Sequence, residues 1–195
     1  IGAGPSGLST SIKIKQLDPN INICILEKSS EVGAHILSGN IFETRALDEL
    51  IPNWKEKGAP VNTKVKKEKF LFLSNKSSLS WPTWLLPSVQ KNHNYIISLA
   101  NLCRWLAQQA EELGVEIFPG FPAVKILYSK NDEILGVQTG DMGVDKEGKP
   151  KDSFEPGINI IGKVTVLAEG CRGHLGKEVI KKYSLDQNKS PQQYG

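Results

Sequence analysis

Apolar positions change their period along the chain, and the changes mark out the elements. Residues 5–17 carry Leu8, Ile12 and Ile14 at helical spacing, which predicts a helix that Asp18-Pro19-Asn20 stops. The apolar run 21–27 then reads as a strand, completing a βαβ-type beginning. A glycine-spaced excursion over 33–39 precedes a short helix over 46–51. From 53 to 94 the pattern is one of loops and hairpins, with prolines at 60, 82 and 87, the β-type run Phe70-Leu71-Phe72-Leu73, and tryptophans at 81 and 84. The clearest helix lies over 97–113, where Leu99, Leu102, Leu106, Ala110 and Leu113 recur at steps of three and four before Gly114. A strand over 115–118 follows, then a hairpin of 124–128 with 134–139. The polar tract 141–157 reads as an exposed loop or hairpin arm, and 164–168 as a continuous apolar strand of the buried parallel type ending at Glu169-Gly170.

The chemistry begins at the first residue. Ile1-Gly2-Ala3-Gly4-Pro5-Ser6-Gly7 fits G-x-G-x-x-G, a helix and a buried-type strand follow it, and Glu27 stands where that strand ends. Gly2 permits a tight turn, Gly4 lets a pyrophosphate approach the backbone, and Gly7 lets the helix pack closely on its strand. The helix N-terminus then faces the phosphates, and the Glu27 carboxylate would accept hydrogen bonds from a ribose hydroxyl. Of the apolar strand expected before such a loop, Ile1 alone stands in the sequence. The chain therefore reads as a segment of a longer polypeptide, cut on both sides.

Composition adds limits. An apolar share of 39% with 23% charged residues is ordinary for a folded domain of 195 residues, and nothing points to disorder. The net charge of +3 is mixed along the chain except at Lys64, Lys66, Lys67 and Lys69. That run reads as a solvated face rather than a nucleic-acid patch, and it would also suit an anionic membrane surface. The cysteines at 24, 103 and 171 have no metal-ligand or C-x-x-C spacing. Cys24 and Cys103 are expected as small buried side chains, and no redox role is assigned to Cys171. Histidines at 35, 93 and 174 form no zinc or iron grouping, no triad or carboxylate pair suggests hydrolysis, and no apolar stretch is long enough to span a bilayer.

Three segments together resemble the electron-transfer flavoprotein-ubiquinone oxidoreductase family: Gly2 to Gly7 with Glu27-Lys28; Gly33-Ala34-His35-Ile36-Leu37-Ser38-Gly39, similar to that family's G-A-H-x-L-S-G turn; and Ala168-Glu169-Gly170-Cys171-Arg172-Gly173-His174-Leu175, similar to its A-E-G-C-x-G-H-L. Residues 52–60, 94–96 and 111–116 also resemble family text, so the likeness runs the length of the chain. It implies an α/β, FAD/NAD(P)-binding Rossmann-like three-layer fold. Residues 1–52 would form its first part, 53–157 an inserted mixed β/α quinone domain, and 158–195 its incomplete resumption.

The cofactor implied is FAD. Gly2, Gly4, Pro5, Ser6 and Gly7 would hold the pyrophosphate, Glu27 and Lys28 the adenosine side, and Gly33, Ala34, His35, Ser38 and Gly39 the flavin end, with backbone contacts at Glu169 and Gly170. The alternative at Glu169 and Gly170, that they merely turn the chain, is the less favoured one. Phe70, Phe72, Leu73, Trp81, Trp84, Leu85, Leu86 and Val89, beside lysines 69, 76 and 91, would form a monotopic membrane- and quinone-facing surface, whereas the residues alone favour a covered sheet face. The resemblance further implies electron-transfer flavoprotein as donor, a 4Fe-4S cluster whose cysteines follow Gly195, and ubiquinone as acceptor. The setting would be the mitochondrial inner or bacterial cytoplasmic membrane. The same architecture also serves geranylgeranyl-type reductases and aromatic hydroxylases, and a non-catalytic membrane-surface nucleotide module is a third reading.

Overall fold

The computed structural model describes residues 1–67, 69–82 and 94–187. Helix α1 (Pro5–Leu17) starts with Pro5 in its first turn, where the missing amide costs nothing, and ends at Asp18, held extended (φ −145°, ψ 101°) by the proline that follows. Leu8 and Ile12 are both wholly buried on its inner face. Strand β1 (Ile23–Glu27) alternates: Ile23 and Ile25 face the α1 layer, while Leu26 joins a second apolar cluster on the opposite side. Cys24 shares the Leu26 side of the strand but stays outside the cluster there, exposed rather than buried as expected; Cys103 is buried.

Next come β2 (Ser38–Glu43), α2 (Arg45–Leu50), β3 (Thr63–Lys64), and the hairpin β4 (Phe70–Leu73) with β5 (Ser78–Trp81). Strand β6 (Asn94–Ser98) runs antiparallel between β2 and β3. The helix predicted from residue 97 begins two residues later, as α3 (Leu99–Glu112), because the Ser98 side chain caps it by accepting from the Asn101 amide at 3.4 Å. Ile97, read as helical, is a buried strand residue.

Strand β7 (Val115–Pro119) pairs in parallel with β1, Ile25 opposite Ile117. Helix α3 packs across α1 to cover this sheet, and Trp54, Ala59 and Val61 fill the space beside it, the Trp105 indole donating to the Lys57 carbonyl at 3.0 Å. Residues 53–61, α3 and β7 lie by sequence in the tract read as an inserted unit, yet they complete the helix-backed parallel sheet. Periodicity identifies a helix and a strand, but not the layer that receives them.

The opposite face is covered by an antiparallel sheet of β8 (Ala123–Tyr128), β9 (Ile134–Thr139) and β12 (Asn159–Ile161). Between β9 and β12 the polar tract folds into a hairpin, β10 (Met142–Val144) with β11 (Pro150–Glu155). Helix α4 (His174–Lys182) buries Leu175 against this second layer. The order helices, parallel sheet, antiparallel sheet is the three-layer arrangement expected.

The strand predicted over 164–168 is not a regular strand. It runs beside Ile1, whose amine donates to the Val166 carbonyl at 2.7 Å and whose carbonyl accepts from the Ala168 amide at 2.8 Å. The Gly2 amide donates to the Leu26 carbonyl at 2.8 Å, so Ile1-Gly2 sits between β1 and 166–168. Among the described residues no helix is long and apolar enough to cross a membrane.

Because Ile12 is 0% exposed, in the seam between α1 and the sheet, Ile12→Ala should lower the free energy of unfolding by about 2–5 kcal/mol in a denaturant titration. A loss below about 1 kcal/mol would place that seam elsewhere.

Candidate functional site

Where the turn after Ile1 meets the ends of β1 and of residues 166–168, the layers leave a cavity of about 640 Å³. It lies at the carboxyl ends of parallel strands, where α/β sheets bind ligands. Its near wall is the glycine loop. Gly2 has φ +99°, and a Cβ there would lie 2.5 Å from the Ala168 carbonyl oxygen; at Gly7 it would lie 2.1 Å from the Gly2 carbonyl oxygen. Both positions therefore exclude any side chain. Gly4 is the opposite case: a Cβ on it would meet nothing within 4 Å, so its backbone is open to the cavity. Gly4 is the N-cap of α1 and provides no side-chain cap, which leaves the first-turn amides to an outside acceptor. This donor set suits a diphosphate.

Glu27, at the end of β1, closes the loop from below. One carboxylate oxygen, Oε2, accepts from the Ala3 amide at 2.9 Å; the other, Oε1, accepts from the Ser29 amide at 2.9 Å and the Ser29 hydroxyl at 2.6 Å. A carboxylate offers about four acceptor positions, so a further position remains on Oε2 for a hydroxyl in the cavity. Burial pushes the Glu27 pKa up, but the Ser29 hydroxyl, the Ser29 and Ala3 amides and the charge of His35 together outweigh it and hold it below the usual value.

Of the residues singled out from the sequence, Gly2, Gly4, Pro5, Ser6, Glu27, Lys28, Gly33, His35, Glu169 and Gly170 all line this cavity. Gly7 supports the loop from behind. Ala34 lies outside the lining, as do Ser38 and Gly39, which begin β2 at an irregularity in its pairing with β6. The Glu169 side chain turns from the cavity to the start of α4, accepting from the Gly176 amide at 2.8 Å and the Leu175 amide at 3.3 Å, with His174 Nδ1 at 3.4 Å. It caps that helix, which leaves its backbone and Gly170 (φ +74°) as the surface shown to the cavity.

Ser29, Arg172 and the stretch 122–124 also line it and were missed as site residues. Arg172 was legible as a cation inside the closing motif and Ser29 as a hydroxyl two residues past Glu27, whose Oε1 it meets at 2.6 Å; 122–124 reach the cavity only through tertiary packing. Phe70, Phe72, Leu73 and Trp81 stand apart on the β4–β5 hairpin, all exposed. Trp84, Leu85, Leu86 and Val89 lie outside the described residues. Among the described residues no group of His, Cys, Asp or Glu could hold a metal ion.

The layer order, the side-chain-free turn and the strand-end acid define a dinucleotide-binding fold of the Rossmann-like type used by FAD-dependent enzymes. A variant of a flavin-dependent brominase superposes on 94% of the chain, and on 40% of its own, with a TM-score of 0.62 at 13% identity. A geranylgeranyl bacteriochlorophyll reductase-like protein from Thermoplasma acidophilum covers 71% of this chain and 33% of its own, with a TM-score of 0.54 at 18% identity. No family model matches the sequence.

At the level of sequence, the chain is homologous over its whole length to electron transfer flavoprotein-ubiquinone oxidoreductases. It is 54% identical to the probable enzyme of that name from Acinetobacter baylyi, 53% to that of Pseudomonas aeruginosa and 44% to the mitochondrial one of Bos taurus, with 100% of the chain matched each time. The chain spans only about a third of the length of these relatives: 35%, 37% and 32% respectively.

Since the Glu27 pKa is lowered in the fold, the stability this carboxylate contributes is present above its unfolded value and is lost as pH falls through the folded one. Ser29→Ala removes the hydroxyl donor and should move the Glu27 midpoint upward in a carboxyl-carbon NMR titration, leaving the protein folded. An unmoved midpoint would show that the hydroxyl does not sustain the shift.

Proposed function

We propose that the chain is the nucleotide-gripping portion of an electron transfer flavoprotein-ubiquinone oxidoreductase. In this reading the cavity takes the adenosine diphosphate half of FAD, and the whole protein passes electrons from reduced electron transfer flavoprotein to ubiquinone. One observation carries it: identity of up to 54%, over the whole of this chain and about a third of the relatives' length, coincides with a cavity whose walls include the glycine loop and Glu27. The fold likenesses lie under 20% identity and speak for architecture alone.

Each residue then has a task. Gly2 and Gly7 bring α1 against the strand ends so that the open backbone of Gly4 and the amides beside Pro5 and Ser6 meet the diphosphate oxygens. Glu27, fixed as a carboxylate by Ala3 and Ser29, accepts from a ribose hydroxyl through the position left on Oε2. Arg172 and Lys28 add positive charge at the cavity wall. Gly33, His35 and Gly170 line the cavity beyond the loop, toward the flavin end, with Ala34, Ser38 and Gly39 shaping the turn behind them. The flavin, when bound, supplies the redox chemistry; the chain positions it and keeps polar donors around it.

In this reading the donor-side relay through a 4Fe-4S cluster belongs to the whole protein, and Cys24, Cys103 and Cys171 have no part assigned in it. The hairpin with Phe70, Phe72, Leu73 and Trp81 is the membrane- and quinone-facing surface in this reading. Its support is that these apolar side chains are exposed, from 41% at Trp81 to 78% at Leu73.

Gly4→Val tests the grip. The backbone there is ordinary (φ −82°, ψ −178°), so a valine folds without strain, but its methyls enter the open space at the diphosphate position. The full-length variant should fold with unchanged circular dichroism and purify without flavin. FAD retained at unchanged affinity would remove the diphosphate from this loop.

A further inference from the structure

We propose that Lys182 is a positioning residue for the cofactor: with Asp132, Tyr128 and Tyr183 it locks the outer end of α4 and so holds the 169–174 wall against the adenosine diphosphate in the cavity. The inference rests on the reading that this cavity takes FAD and adds to it a control point outside the cavity lining.

The far wall of the cavity comes from two places. Pro122, Ala123 and Val124 lead into β8, and Glu169, Gly170, Arg172, Gly173 and His174 lead into α4. Glu169 ties the second group to the helix, since its carboxylate accepts from the Leu175 and Gly176 amides of the first turn. Where the helix points, that loop follows. Yet α4 buries one side chain, Leu175, close to the cavity, with half-buried Val179 one turn on. Its last turn has no buried side chain, and Ile180 there is exposed. A helix pinned near one end is free to tilt, and the tilt is passed to the wall.

Polar and aromatic contacts fasten that last turn, about 10 Å along the helix from Leu175. The Lys182 ammonium donates to Asp132 Oδ1 at 2.7 Å and stands 4.5 Å from the centre of the Tyr128 ring and 5.9 Å from that of Tyr183. The two rings meet edge to face, 6.5 Å apart. The Tyr128 hydroxyl donates to Glu178 Oε1 at 3.2 Å, and the Tyr183 hydroxyl donates to the Asp132 carbonyl. Tyr128 ends β8 and Asp132 lies in the turn after it, so the cluster joins the outer ends of the same two elements whose inner ends form the wall.

The receiving turn is itself rigid. Asp132 holds a left-handed backbone, φ +62°, and its amide donates to the Ser129 carbonyl at 3.1 Å. The Ser129 hydroxyl accepts from the Asn131 and Glu133 amides, both at 3.1 Å. An exposed ion pair alone contributes little. Here the cation also lies over an aromatic ring, and two phenols fix the same helix end, so several weak contacts share one geometry. A cation in the last turn further suits the helix dipole.

Fluorescence titration of the deflavinated full-length protein with FAD tests this. Lys182→Met should weaken FAD binding about three- to tenfold, with unchanged circular dichroism. Lys182→Arg, which still pairs with a carboxylate and stacks on a ring, should restore wild-type affinity. Asp132→Asn tolerates the left-handed backbone and should match Lys182→Met, and the two together should do no more than either, since they break one contact. Tyr183→Phe, which keeps the ring and loses the hydroxyl, carries the same test should Lys182→Met not fold. Hydrogen exchange separates positioning from general loosening: in Lys182→Met the amides of 169–176 should exchange faster, and those of α1 and β1 at the wild-type rate. FAD bound as tightly by Lys182→Met as by the wild type overturns the proposal, as does faster exchange throughout the chain. A wild-type protein that takes up no FAD defeats the reading of the cavity itself, and the proposal with it.

Discussion

The Glu27 carboxylate ties the end of β1 to the glycine loop through the Ala3 amide, and the rest of the site is built around that tie. The neighbouring bond from the Gly2 amide to the Leu26 carbonyl sets the same loop against the same strand. Together they fix where α1 begins, and so where its uncapped amides point. An acid in this place costs desolvation, which three hydrogen bonds offset. The same three bonds leave it ionised and still able to accept. In the proposed reading, structural support and ligand recognition are therefore one feature here.

The layers around this tie divide the work. On one side α1 and α3 bury Leu8, Ile12, Leu102 and Leu106 against β1 and β7, giving the loop a rigid backing. On the other, β8, β9 and α4 collect around Leu26 and Leu175 and bring 122–124 and 169–174 to the far wall of the cavity. Glu169 serves this second wall as Glu27 serves the first, by holding the start of a helix in place. The hairpin stays outside both cores, with Phe70, Phe72, Leu73 and Trp81 exposed.

Much of this was written in the order of residues. Helix α1 is legible because Pro5 and Pro19 punctuate it and its apolar spacing agrees with both signals. The loop is legible because glycine is demanded where a side chain would strike a carbonyl, as at Gly2 and Gly7. The β8–β9 hairpin followed from alternation around a polar turn. What stayed hidden depends on distant partners. The sheet of β2, β6 and β3 forms between segments more than 30 residues apart, and Ser38 belongs to it rather than to the cavity. Two short-range contacts were also not read: Ser29 braces Glu27 from two residues on, and Glu169 caps the helix that follows it. Cys24 reads as buried because its strand is apolar, and is exposed because one side of that strand is covered only in part.

The central claim is that this loop and this acid grip the adenosine diphosphate end of a flavin, and titration of the deflavinated full-length protein tests it most directly. FAD should bind with one site per chain. ADP, which carries the diphosphate and the ribose but no isoalloxazine, should displace it competitively. A protein that takes up no FAD, or FAD binding that ADP leaves untouched, would contradict the account.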